Sequence, residues 1–578
     1  MKKILKHLLK VVAIGNHFLF TINTKFGIIL VGDFMTTKDL ANLIFPNITK
    51  TISDIEKEYP KREVDGEITR FAPSPTGFMH IGGCYQAITD YLIAKNTNGI
   101  FYLRNEDTDK AREKEDAVKI IMDILNYYNI KPDEYEYNDE VIGNYGPYIQ
   151  SKRKEIYHVF IKHLIEIGRA YPCFCTPEEL SSLREKQEGM KVRTGYYGRF
   201  SKCRKISIDD AYERIKNGEK FVIRFKSKGD FENKIWYEDL AKGRLHLSEN
   251  DIDDIIMKSD NMLPTYHFAH VVDDHLMHTT IVVRGEEWLP SVTKHLEMFD
   301  SFGFEAPKYI HTPLIQKKED GKLRKISKRK DPEANMEYFI ELGYPKDAVV
   351  ESLLTIINSN YEEWRDNNPD LPFTDFEFNA KKMSSSGALY DLMKLEDISK
   401  NTVSRMNKDE LYKESYDWAC IYDNKLKELI ESDIDYYKSI INIEREQAKP
   451  RKDIAKYSDI YNLINYMYDE IYKPDYEWGS ITDTNEIKSI LNTYINDYYD
   501  DSDDKDTWFS KVKELATNLG YAANMKDYKK NPDNYKGNVA DIATVIRVGV
   551  TGKKNTPDLY EILKIFGIDR IRKRIDMI

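Results

Sequence analysis

The segment from Glu67 to Asp109 constrains the fold more than any other part of the chain. EITRFA (67–72) carries the β-branched and aromatic residues of a strand. PSPTGFMHIGG (73–83) follows, a loop with two prolines and three glycines. CYQAITDYLIAKNTNG (84–99) then reads as a helix, with Gly99 expected as its C′ stop, and the apolar run IFYLR (100–104) as a second strand. Strand, glycine loop, helix, strand is a βαβ unit, which requires an α/β domain with a parallel sheet.

A chain of 578 residues is too long for one core, so several domains are expected. The catalytic α/β domain is expected at 67–145 and 256–330, where the strand-like TIVVR (280–284) returns. An insertion of mixed helical and strand character interrupts it at 146–255. From 331 onward helical patterns dominate: 331–400 is read as a stem-contact region and 401–578 as an all-α half. The acidic run NDYYDDSDDKD (496–506) reads as an exposed loop. Residues 1–66 are read as an N-terminal extension. Within it, 1–34 has the basic start and apolar content of a signal peptide. Lys6, His7, Lys10, Asn16 and His17 interrupt the apolar run, however, and no small-residue cleavage site follows. That stretch is read as an appendage or an upstream-start artefact ahead of Met35.

The net charge of −11 argues against a general polyanion binder, so a nucleic-acid partner would need a local basic face. The five cysteines are too few and too unevenly spaced for a disulfide framework, which points to a reducing, cytoplasmic setting. No uninterrupted apolar run is long enough for a transmembrane helix, so no membrane partner is expected.

Two short constellations carry chemistry. In Arg70–Gly83 the glycines let backbone approach phosphate, and the helix that follows offers unpaired N–H groups to an anion. His80 stands where it can donate to phosphate oxygens as charge builds on them. The plain alternative is a tight turn with an incidental histidine. In Lys325-Ile326-Ser327-Lys328-Arg329, cations around a serine can clamp a triphosphate and a pyrophosphate leaving group. The plain alternative there is a solvated basic loop.

Taken together, R-F-A-P-S-P-T-G-x-x-H-I-G-G and, about 240 residues later, K-I-S-K-R resemble the two ATP-binding motifs of class I aminoacyl-tRNA synthetases, in their bacterial-type glutamyl branch. Gly83 stands where many class I enzymes have a second histidine, and small residues there are tolerated in that branch. Leu103–Asp109 resembles the family's L-R-I-E-D-T-D, with Asn105 in place of an apolar residue. Pro264–Ala269 with Val272–His275 resembles the segment that lines the amino-acid pocket, and Val283–Trp288 the stretch that ends that half of the site. Ser385–Leu395 and Val545–Leu563 resemble the helical half. The resemblance covers 67–578.

The resemblance implies a Rossmann-like catalytic domain with an inserted acceptor-binding domain, followed by a helical anticodon-binding half. It implies a ligase that uses ATP and Mg²⁺ to activate L-glutamate and transfer it to tRNA(Glu), and possible use of tRNA(Gln) is left open. A monomer is the expected state. Implied catalytic residues are His80, Lys325 and Lys328. ATP contacts fall on His80, Gly82, Gly83, Glu287, Trp288, Lys325, Ser327, Lys328 and Arg329. Glutamate contacts fall on Arg70, Ala72, Ser74, Glu106, Tyr266 and Arg284. Charge logic agrees with the last set, because two carboxylates need guanidinium donors and an ammonium needs an acceptor, here Glu106. Which arginine takes which carboxylate stays open. For Glu106 the alternative is a structural ion pair with Arg104 or Arg112, and for Tyr266 a core aromatic. Cys173-x-Cys175, then Cys203, resembles the zinc site of the inserted domain, but the family's closing C-x-H reads Cys203-Arg204-Lys205 here. Tyr196 or Tyr197 would supply the fourth ligand; otherwise these are three reduced thiols of an eroded site.

Three rival readings are set against this one. A relative that glutamylates a modified tRNA base lacks the helical half, and a small-molecule nucleotidyltransferase would need neither that half nor the Arg70/Glu106/Arg284 pocket. A non-catalytic tRNA-binding paralogue would have no need of His80, Lys328 and Glu106, all of which are present.

Overall fold

The computed structural model describes residues 35–75, 77–109, 116–384 and 387–578, with the backbone of 9–14, 17–24 and 27–31. Those three N-terminal segments pair as an antiparallel meander. The rest of the expected appendage, together with Thr76, Arg112 and Ser385, lies outside the described residues. The chain forms two compact units, 1–336 with 353–390, and 337–352 with 391–578. These divisions replace the expected boundaries at 330 and 400.

The first unit is built on parallel strands. Ile68–Phe71 pairs with Ile100–Leu103, and Ile281–Gly285 pairs with Lys308–Thr312. The Thr280 N–H donates to the Ile68 carbonyl (2.9 Å), which sets the two pairs side by side. On the outer edge, the Asp133 N–H donates to the Phe101 carbonyl (2.7 Å). The spatial order is thus the Glu134 bridge, Ile100–Leu103, Ile68–Phe71, Ile281–Gly285 and Lys308–Thr312. A ligand crevice is expected at the carboxyl ends of the two strands where that order reverses, Ile68–Phe71 and Ile281–Gly285.

The helix expected after the glycine loop runs from Ile81 to Asn96 and buries Cys84, Tyr85, Ile88 and Leu92. It stops for a different reason from the one expected. The left-handed residue is Asn98 (φ 55°), and Gly99 is required for space. A Cβ there would lie 1.8 Å from the Glu67 carbonyl oxygen, where the chain turns into the second strand.

Residues 35–66 are not an extension outside this fold. Helices Thr37–Ile44 and Ile52–Glu58 each start at a capping box, Thr36 with Asp39 and Thr51 with Asp54. Their apolar positions Leu40, Ala41, Ile44 and Ile55 join one core with Phe160, Leu164 and Val272. Arg62 then grips Glu134 through two hydrogen bonds of 2.7 and 2.8 Å. Helical spacing of apolar residues creates a face that has to be covered, and here helices Lys154–Glu166 and Ile208–Lys216 of the insertion cover it.

The insertion consists of an antiparallel sheet, Ala170–Cys173 and Ile255–Lys258 flanking Val222–Phe225, and a hairpin, Lys234–Asp239 with Gly243–Ser248. Alternation along the hairpin points Tyr237 and Asp239 inward and leaves Trp236 exposed.

The second unit is built of helices and loops, with no strand among its described residues. Its core joins Leu411, Leu426, Tyr437, Ile460, Leu491, Val512, Ile546 and Leu563. The acidic run near 500 does local work: Asp504 caps helix Lys505–Asn518, and Asp503 pairs with Lys511 at 2.8 Å. At the C-terminus Arg574 is buried, pairing with Asp469 (2.8 Å) and donating to the Tyr466 carbonyl (2.7 Å).

Gly99→Ala is expected to destabilise the first unit by about 1–3 kcal/mol or more, because backbone must move to admit the methyl group. Urea denaturation of the variant beside the parent, read by tryptophan fluorescence, checks this.

Candidate active site

A cavity of about 700 Å³ opens at the carboxyl ends of the central strands. That is room for a nucleotide with a small amino acid. Of the residues expected from sequence, Arg70, Ala72, Ser74, His80, Gly83, Glu106, Tyr266, Arg284, Trp288 and Lys328 line it together. Gly82, Glu287, Lys325, Ser327 and Arg329 are not among its lining residues. Pro264 and Thr265 line the wall with Tyr266, whereas Asp273 and Asp274 from the same expected segment sit behind it, fully buried.

His80 is the N-cap of helix Ile81–Asn96, and its Nδ1 accepts the Gly82 N–H at 3.0 Å. The neutral ring therefore carries its proton on Nε2, free to be donated. Burial, reinforced by the charges of Lys328 and Lys325, pushes its pKa down to about 4, so it is neutral at physiological pH. Lys328 lies over the Phe78 ring, 4.7 Å from its centre. Asp331 holds the base of the basic loop: its carboxylate accepts two hydrogen bonds from Arg324 (2.7 Å each) and one from the Ser327 N–H (2.8 Å). Tertiary packing thus brings the two distant basic and glycine-rich motifs to one end of the cavity.

At the other end stand the two arginines. Arg70 projects from the first strand, donates to the Val283 carbonyl from Nη1 (3.2 Å) and turns its Nε towards Asp274 Oδ1 at 3.5 Å. Arg284 ends the strand Ile281–Gly285, stacks its guanidinium on Tyr309 (4.5 Å) and keeps Nη2 unpartnered. Sequence reasoning missed what aims Arg284. Its Nε donates to His311 Nε2 (3.1 Å), so His311 Nδ1 carries the proton and donates to Asp239 of the hairpin (2.6 Å). Its Nη1 donates to His295 Nδ1 (3.1 Å), and His295 Nε2 in turn donates to His267 Nδ1 (2.8 Å). Lone histidines and one strand aspartate gave no pattern by which to find them.

Glu106 does pair with Arg104 (3.0 Å), so the structural alternative is met in part. Yet Glu106 also lines the cavity. Burial raises its pKa, and Arg104 and Arg70 offset that only in part, so the carboxylate is short of positive charge. A ligand ammonium would supply it.

In the insertion, Cys173, Cys175 and Cys203 converge, all three sulfurs within 4.8 Å of one another. The Tyr196 hydroxyl lies 3.5 Å from Cys173 Sγ and 3.4 Å from Cys175 Sγ, and Cys175 and Cys203 Sγ are 3.7 Å apart. A tetrahedral zinc with ordinary bond lengths separates its sulfurs by about 3.8 Å and a sulfur from an oxygen by about 3.5 Å. The donor set fits such an ion. Tyr197, the other candidate ligand, instead donates its hydroxyl to the Arg193 carbonyl (2.6 Å).

Family comparison agrees with this geometry. The model for the catalytic domain of class I tRNA synthetases (E and Q) matches residues 68–365, and that for an anticodon binding domain matches 410–578. The glutamate–tRNA ligase of Acetivibrio thermocellus is 46% identical over 544 residues, 94% of this chain and 99% of that protein. That of Clostridium perfringens strain 13 is 46% identical over 548 residues, 94% of this chain and 100% of that protein. The crystal structure of a glutamate tRNA ligase from Elizabethkingia meningosepticum, in complex with its amino acid, matches with a TM-score of 0.72 at 25% identity. It covers 89% of this chain and 99% of that one. The chain therefore belongs to the class I tRNA synthetases, and within them to the glutamate–tRNA ligase family.

Burial is the first cause holding the nearby rings neutral, with His267 pushed down to about 3, His270 to about 4 and His295 well below its ordinary value. These rings bind protons more readily in the unfolded chain. Stability of the first unit is therefore full above the unfolded histidine pKa near 6.5 and falls as pH drops from there towards 4. Urea denaturation at pH 7 and pH 5 is expected to differ by a few kcal/mol, since each tenfold loss of a ring's proton affinity on folding is worth about 1.4 kcal/mol.

Proposed function

We propose that this chain joins L-glutamate to tRNA(Glu) in two steps within the one cavity. The α-carboxylate of glutamate attacks the α-phosphorus of ATP, the bond to the β-phosphate breaks, and pyrophosphate leaves with its charge. The 2′-hydroxyl of the tRNA terminal ribose then attacks the activated carbonyl, its proton is lost and AMP leaves. Arg70 and Arg284 hold the two carboxylates of glutamate, Glu106 accepts from its ammonium, and Tyr266 and Ser74 complete the pocket. His80 Nε2–H, Lys325 and Lys328 stabilise phosphate charge as it develops, with Gly82, Gly83, Glu287, Trp288, Ser327 and Arg329 around the nucleotide. Mg²⁺ arriving with ATP would supply further neutralisation of the phosphates. The chemistry requires no covalent enzyme intermediate, so its rate rests on positioning and on fixed donors aimed at developing charge.

The observation that carries this reading is the cavity itself. Two buried arginines, Arg284 with an unfilled Nη2, and a Glu106 short of positive charge share one space with a neutral His80 that carries its proton on Nε2. The helical unit is read as the part that recognises the anticodon, and the enzyme as a cytoplasmic monomer.

Purified chain, ATP and labelled glutamate, assayed with purified tRNA(Glu) and tRNA(Gln), test the reading. Charging of tRNA(Glu) alone is expected of a discriminating ligase; charging of both makes it non-discriminating with the same chemistry. If neither tRNA accepts glutamate, the reading fails. His80→Ala is expected to lower kcat by roughly 10²–10³ while leaving KM for glutamate nearly unchanged.

The three cysteines and Tyr196 are read as the ligands of a structural zinc. Metal analysis of purified chain is expected to find about one zinc per chain, with most of it lost in Cys203→Ser. A full-length chain that carries no zinc when folded in zinc-containing medium contradicts this.

A further inference from the structure

We propose that Gln150 binds the α-ammonium of the amino acid together with Glu106, as a second, neutral acceptor. The inference rests on the glutamate-ligase reading and adds a recognition residue to it.

Gln150 opens the turn Gln150–Arg153, is fully buried and lines the cavity. Backbone pairing sets it beside Glu106: the Asn105 N–H donates to the Tyr148 carbonyl (2.8 Å), and the Gln150 N–H donates to the Asn105 carbonyl (3.0 Å). The orientation of its amide is decided by Asp273, which can only accept. Gln150 Nε2 donates to Asp273 Oδ2 at 2.8 Å, and the flipped amide would press a carbonyl oxygen against that carboxylate. Asp273 also takes hydrogen bonds from Arg153 (2.7 Å) and Tyr157 (2.8 Å), which fix it in place.

That leaves Gln150 Oε1 buried without a hydrogen-bond partner among the described residues. A buried acceptor is seldom left unfilled, and the cavity that Gln150 lines is a source for its partner. An ammonium brings three donors. Glu106 Oε1 is already occupied by Arg104, so the carboxylate offers one free oxygen. A second acceptor is needed, and a neutral one suits this place. Burial already works against the charge of Glu106, and another carboxylate would raise that penalty further.

The test compares glutamate with glutarate, the same diacid without the amine. KM for glutamate and for ATP, and the competitive inhibition constant of glutarate, are measured in the tRNA(Glu) charging assay for the parent and for Gln150→Met. The substitution is expected to raise KM for glutamate about tenfold, the factor that 1.4 kcal/mol represents. The glutarate constant and KM for ATP should stay within about twofold. Gln150→Glu, which when protonated keeps both a donor to Asp273 and a carbonyl, should retain the preference for glutamate over glutarate. Equal weakening of glutamate and glutarate would mean that Gln150 merely props Asp273, and an unchanged KM for glutamate would mean no contact; either overturns the proposal. Should Gln150→Met not fold, Gln150→Asn withdraws the carbonyl by one methylene and is judged by the same ratio. Failure of the parent itself to charge any tRNA removes the underlying reading, and is seen before any variant is made.

Discussion

Two adjacent buried carboxylates, Asp273 and Asp274, organise the first unit. Neither is reached by solvent, and a buried charge has to be paired. Asp273 takes Gln150, Arg153 and Tyr157 from the insertion side. Asp274 takes Arg104 at 2.5 Å, with Arg70 at 3.5 Å and His270 at 2.5 Å. Burial alone would raise the Asp274 pKa, but Arg104, Arg70 and His270 outweigh it and hold the carboxyl well below the usual range. Removing either partner would strand a charge, so each strand end and turn that contributes one is held to its place. The cavity wall is the outer surface of this ionic core.

Aiming follows from the same principle. A guanidinium in a low-dielectric site is useful only if its free donors point where the ligand arrives. For Arg284 that direction is set by contacts behind it, through His311 to Asp239 on the hairpin and through His295 to His267. The inserted domain therefore reaches Arg284 at the cavity through an aspartate on its inner hairpin face. Neutral histidines suit this task, because each can accept from the arginine on one nitrogen and pass a proton donor to the next group on the other. Their neutrality is a consequence of burial, which ties the geometry of the pocket to the acid sensitivity of the unit.

Legibility in the sequence varied with the range of the interaction. The strand–loop–helix–strand unit and the two phosphate-end motifs could be read directly, since backbone conformation and charge are local. Gly99 was recognised as a necessary glycine, though its reason lies 32 residues away at the Glu67 carbonyl rather than in helix geometry. Residues 35–66 were misread because an amphipathic helix does not say what covers it. For Glu106, the alternative weighed beside a substrate role, an ion pair with Arg104, is present at 3.0 Å.

By itself the sequence determined the α/β class, the order of the parts and the presence of the glycine-rich and basic motifs proposed to face phosphate. These depend on residue type at short spacing, where periodicity, turn chemistry and charge are already defined. Tertiary structure decided which residues share the cavity, which arginine donors stay unfilled, which nitrogen of His80 carries the proton and why Gln150 has an acceptor to spare. Each of these is a matter of partners, and partners separated by tens to hundreds of residues acquire hydrogen-bond geometry and burial only when the chain has closed around them.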